Sequence, residues 1–171
     1  MEMQSAREAD ERYMSMALQL ARLAARQGEV PVGAVAVLEG QVIGRGYNRR
    51  ELQQNPLAHA EMGALREAAE HLGAWRLVGV QLFVTLEPCT MCAGALIQSR
   101  VSRLVFGTKD TKAGAVGSLY NLLEDPRHNH RVEVVEGVLE ATCARVLKEF
   151  FAALRHGKVR PRRGGRAAEG T

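Results

Sequence analysis

Cysteine is scarce in this chain, with three residues in 171. Two of the three share one Cys-x-x-Cys, so a disulfide framework is excluded and a reducing interior is expected. Long apolar runs are missing as well: none approaches the roughly 20 residues that a helix needs to cross a bilayer. The first residues, including Glu2, Arg7, Glu8, Asp10, Glu11 and Arg12, are too charged for a secretory signal. A cytoplasmic protein without a membrane partner is the expectation. Internal repeats are absent too, which excludes solenoids and propellers.

What is present suits one globular domain: 46% hydrophobic and 25% charged residues. The net charge of +4 hints at nucleic acid, but it is unevenly placed. Six of the 23 basic residues and one of the 19 acidic residues lie from Arg155 onward, leaving the preceding chain nearly neutral. We therefore divide the chain into a domain of residues 1–157 and a basic tail of residues 158–171. The tail is too poor in apolar residues to pack and is expected to stay disordered. It serves either solubility or nonspecific attraction to phosphates.

Two short segments carry the chemistry: His59-Ala60-Glu61 and Pro88-Cys89-Thr90-Met91-Cys92. Zinc takes nitrogen and sulfur ligands, and a catalytic site keeps three of them plus an open position. His59, Cys89 and Cys92 make three, and Glu61 is left over as a general acid/base. Cys89 and Cys92 fall one turn apart if Pro88 opens a helix, whose N-terminus favours thiolates. His59 and Glu61, two apart, can converge only at a first helical turn, so two helix N-termini should face one ion. Alone, the Cys pair could be half a structural zinc site or a redox pair, and the His-x-Glu merely a helix start. Together they match the known His-x-Glu…Pro-Cys-x-x-Cys signature of zinc-dependent nucleobase deaminases.

Periodicity organises the rest. A helix is predicted over 8–27, strands over 32–38 and 41–47, and a loop over 48–58. Then follow a helix over 59–72, a strand over 80–86, a helix over 90–99 and a strand over 103–107. After a loop over 109–117 come a short helix over 118–124, a strand over 132–138 and a helix over 139–155. The strand–helix–strand unit through residue 107 should make its two strands parallel. The expected class is α/β, a mixed five-stranded sheet with helices on both faces, its site beyond the strand C-termini. Cys143 reads as a buried helix residue.

From about residue 10 to 155 the chain resembles the cytidine/deoxycytidylate deaminase superfamily, and within it the tRNA adenosine deaminase branch. The resemblance rests on Glu29–Val35, Asn48, the two metal segments, Glu87–Ser99, Gly114–Leu119 and Asn129-His130-Arg131. It implies a three-layer α/β/α cytidine deaminase-like fold, one Zn2+ per subunit on His59, Cys89 and Cys92, and Glu61 as proton shuttle. It further implies that Asn48 binds the purine, that Asp110 and Lys112 approach the anticodon backbone, and that one of Phe150 and Phe151 touches flanking nucleotides. Periodicity puts Phe150 on the apolar stripe, which leaves Phe151 for the RNA. The activity implied is conversion of adenosine to inosine at the wobble position of a tRNA anticodon stem-loop, by a homodimer. A deaminase of a free base or nucleotide (guanine, cytosine or dCMP) and an RNA-binding module with structural zinc are the alternatives. Asn55-Pro56-Leu57 departs from the Asp-Pro-Thr expected of relatives, which bears on substrate contacts rather than on the metal.

Overall fold

A computed structural model describes residues 2–159. The proposed tail lies almost wholly outside the described residues. Five strands form one mixed sheet: β1 (Gly33–Leu38), β2 (Gln41–Tyr47), β3 (Gln81–Leu86), β4 (Arg103–Thr108) and β5 (Glu133–Glu136). Their order is β2-β1-β3-β4-β5. β1 runs antiparallel to both β2 and β3, whereas β3, β4 and β5 are parallel. The register Gly33↔Tyr47 then brings the start of β1, the end of β2 and the ends of β3 and β4 to a single edge.

Strands buried on both sides read as continuous apolar runs, and here the alternation sorts them into two cores. Ala34, Ala36, Leu82, Val84, Leu104 and Phe106 face α3 (Ala60–Leu72) and α4 (Thr90–Gln98). Val35, Val37, Phe83 and Val105 face α1 (Glu2–Arg26) and α5 (Glu140–Arg155). Each central strand thus stands between two helical layers, and Cys143 and Phe150 are buried on α5 as periodicity predicts.

Three expectations need correction. Helix α1 begins at Glu2 rather than near residue 8; residues 4–8 are exposed, so no apolar stripe marked that turn. The segment over 48–58 contains a single helical turn, α2 (Arg50–Gln53), closed by Gln54 in the left-handed region at φ 47. The helix expected over 118–124 does not form: the chain makes turns and isolated bridges, Cys89 to Gly114 and Val116 to Asn121. Gly117 sits at φ 136, and the Val116 and Ser118 amides are spent on Glu87.

The seating of α3 on β2 decides where His59 goes. A Cβ on Gly46 would overlap the Ala60 carbonyl and lie 2.6 Å from the Ala64 nitrogen; one on Gly44 would lie 2.9 Å from the Ala68 nitrogen. Glycine there lets the helix backbone rest directly on the strand. Gly46→Ala should therefore lower stability by about 2–3 kcal/mol, as overpacking does. Thermal denaturation should show a fall on the order of 5–10 °C.

Candidate active site

Local backbone geometry aims the candidate ligand atoms. His59 is the N-cap of α3 (φ −77, ψ 156) and Cys89 the N-cap of α4 (φ −75, ψ 178), both extended just before their helices begin. Pro88 precedes the second cap, and Cys92 follows one turn in. The His59 Nδ1 lies 3.7 Å from the Cys89 Sγ and 3.6 Å from the Cys92 Sγ. Tetrahedral zinc with bonds of roughly 2.0–2.1 Å to nitrogen and 2.3 Å to sulfur requires N···S separations of about 3.5–3.6 Å. The donor set fits zinc. Among the described residues the cluster holds three His, Cys or acidic donors, all within 4.8 Å of one another. A closed structural site needs four, so the RNA-binding module with structural zinc loses its footing.

The electrostatics are those of a site prepared for a cation. The neighbouring Cys92 thiol, with help from His59, holds Cys89 down to about 3 against its burial. The same pairing, reinforced by burial, pushes the Cys92 thiol far above its usual range. A metal that takes both sulfurs as thiolates must therefore displace a proton from Cys92. His59 is raised, chiefly by its hydrogen bond to Cys89. Glu61, 4% exposed in the first turn of α3, is pushed up to about 7 by burial. A divalent cation beside it would pull it back down.

A cleft of ≈ 200 Å³ opens over this cluster, walled by Val30, Val32, Asn48, Leu86 and Ala113. Asn48 is buried, its Nδ2 donating to the Val30 carbonyl at 3.2 Å and its Oδ1 accepting from the Arg50 amide at 3.2 Å. Its amide is therefore fixed in orientation, with one N–H left for a ligand. Asp110 also borders the cleft, its Oδ1 accepting from the amides of Lys112 and Ala113. Lys112 is exposed on the same loop. Phe151 is 39% exposed, but it lies on α5 in the opposite layer, edge-on to Phe150, and does not border the cleft. His130, from the Asn129-His130-Arg131 triplet, contacts the Val101 carbonyl at 2.6 Å, so its ring serves to fasten a loop. Asn55 accepts from the Leu57 amide at 2.9 Å, which keeps the turn an aspartate would make.

A family profile described as MafB19-like deaminase matches residues 8–155. The chain is 51% identical over 154 residues to the tRNA-specific adenosine deaminase of Bacillus subtilis, covering 90% of this chain and 96% of that one. The chain belongs to the tRNA-specific adenosine deaminase family. Two solved structures share its fold. One, from work on A-to-I editing by tRNA:A34 deaminases at the wobble position of transfer RNA, has a TM-score of 0.77 and 45% identity, covering 80% of this chain and 99% of that one. The other, guanine deaminase from Nitrosomonas europaea, has a TM-score of 0.71 and 30% identity, covering 83% and 84%.

The three clustered donors of this deaminase are legible in the sequence, whereas two residues that border the cleft, Arg50 and Glu87, are not. Arg50 sat in a stretch without periodicity. Glu87, at a strand end before a proline, reads in sequence as a solvated residue, yet it is 2% exposed. Although burial raises it, hydrogen bonds from Ser118, Asp110 and Val116 hold its carboxyl below the usual range.

The thiols supply a test. Burial pushes Cys143 up to about 11, so at pH 8 only about one molecule in a thousand carries that thiolate. In chelator-treated deaminase at pH 8, iodoacetamide should label Cys89 and spare Cys143, read by peptide mass spectrometry. Adding zinc should protect Cys89.

Proposed function

We propose that this deaminase converts adenosine to inosine at the wobble position of a tRNA anticodon, releasing ammonia. The observation that carries the reading is a buried carboxylate beside a three-donor metal cluster at the floor of a cleft. The substrate class is supported by the similarity to proteins named for tRNA-specific adenosine deamination. His59, Cys89 and Cys92 would hold one zinc per subunit, which when bound lowers the pKa of a coordinated water towards neutrality.

The remaining work falls to the chain's own groups. Glu61 takes a proton from the attacking water and passes it to ring N1 as the oxygen adds to C6. It then carries the hydroxyl proton to the amine, which departs as ammonia and leaves the C6 carbonyl of inosine. A carboxylate whose burial favours protonation is suited to both halves of that transfer. Asn48 is assigned to the purine edge, where its locked amide presents a fixed N–H. Asp110 and Lys112 are assigned to the anticodon backbone, and Phe151 to flanking nucleotides reached by bound RNA beyond the cleft. Because anticodon loops are already single-stranded, extruding the base costs little, and selectivity comes from edge contacts and neighbours. The reading includes a homodimer acting in the cytoplasm and a basic tail that adds phosphate attraction.

A second reading, deamination of a free base, is favoured by the resemblance to guanine deaminase. Offering the protein guanine, cytidine, adenosine and an ACG-anticodon stem-loop separates the two. Inosine is expected in the stem-loop, and turnover of guanine alone would transfer the function to the second reading. Glu61→Ala should keep its zinc but lose about 10²–10⁴-fold in kcat. Metal analysis beside single-turnover kinetics checks this. Removing residues 158–171 should weaken RNA binding at low salt and flatten the dependence of log Kd on log salt.

A further inference from the structure

Glu87 carries hydrogen bonds that the proposed chemistry does not use. Its Oε1 accepts from the amides of Val116 and Ser118, each at 3.0 Å. Its Oε2 accepts from the Asp110 amide at 2.9 Å and from the Ser118 hydroxyl. All four donors belong to the segment 110–118, while Glu87 itself stands two residues before Cys89. The fit leaves no slack: a Cβ on Gly114 would overlap the Glu87 carboxylate and lie 2.5 Å from the Asp110 carbonyl oxygen. Two backbone contacts run beside this clasp, the Ala115 amide to the Pro88 carbonyl at 2.9 Å and the bridge between Cys89 and Gly114.

We infer that Glu87 is a positioning residue that locks the 110–118 segment, and with it Asp110, Lys112 and Ala113, at a fixed height above the metal cluster, so that this segment forms a preorganised wall for the substrate. The segment has no helix or strand to stiffen it. A single carboxylate with four converging donors takes their place. An anion is required for that. In either orientation, the side-chain amide introduced by Glu87→Gln would turn an N–H group towards two of the donors, with at least one backbone N–H left unpaired. A wall held in this way orders the binding surface before substrate arrives, so its loss is felt in binding more than in the chemical step.

The inference rests on the reading that this wall faces a nucleic-acid substrate. The test is Glu87→Gln in the zinc-loaded, full-length protein. The expected result is one zinc per chain retained, backbone exchange at Asp110, Val116 and Ser118 faster by roughly tenfold or more, and KM for the stem-loop raised about tenfold with kcat changed much less. Zinc-loaded Glu87→Gln with unchanged exchange and unchanged KM overturns it. If that variant fails to fold or to hold zinc, Ser118→Ala decides, since it removes one donor outside the metal-binding segments. Faster exchange at Asp110 and Val116, with a smaller rise in KM, is then expected, and unchanged exchange overturns the inference. Hydrogen exchange needs no substrate, so it judges Glu87 even if the wild-type protein leaves the stem-loop unedited.

Discussion

Everything at the site depends on two helices beginning at the same point in space. The caps of α3 and α4 meet beyond the ends of β2, β3 and β4, and each places a side chain able to hold a metal one step before its helix. The positive ends of both helix dipoles and their free amides converge there, which works against the burial that favours the protonated forms of Glu61 and Cys92. Parallel pairing of β3 with β4 puts both strand ends, and therefore both following loops, on one side of the sheet. As a result, two sulfurs 30 and 33 residues away along the chain come within 3.7 Å of the imidazole.

Two buried carboxylates flank this centre and are driven in opposite directions. Burial governs Glu61, which rises to about 7. Glu87 is as little exposed to solvent, but the donors gathered around it outweigh desolvation and keep it low. Environment thereby separates two identical side chains, as it commonly does for paired carboxylates in active sites. The one that holds its proton loosely near neutrality suits transfer to and from a substrate. The other stays anionic and suits the permanent task of holding a loop.

Small residues set the distances that these charges require. Gly44 and Gly46 allow α3 to lie against β2, and Ala60, Ala64 and Ala68 on the helix complete the contact without side chains in the way. Gly33 plays the same part on the opposite face, where a Cβ would lie 2.5 Å from the Ala21 nitrogen of α1. Close packing of this kind leaves the helix start little freedom, and a metal site tolerates little.

The linear order of residues was enough to group His59, Cys89 and Cys92 with Glu61 beside them, and to give the parallel pairing implied by one crossover, because those follow from ligand chemistry and hydrophobic period. Phe150 and Cys143 were legible for the same reason: each occupies a regular position on an amphipathic helix. Other features were decided by tertiary structure alone. No local pattern marks Glu87 as buried, since its four donors, on Asp110, Val116 and Ser118, lie 23 to 31 residues further on. The helix expected after residue 117 gave way because those same amides bind Glu87 instead of forming helical bonds. Phe151 could be assigned to a surface from its period, but not to a place relative to the cleft, because that depends on which layer its helix joins. Period reports what a single element does with its own neighbours, and long-range hydrogen bonds leave no such trace.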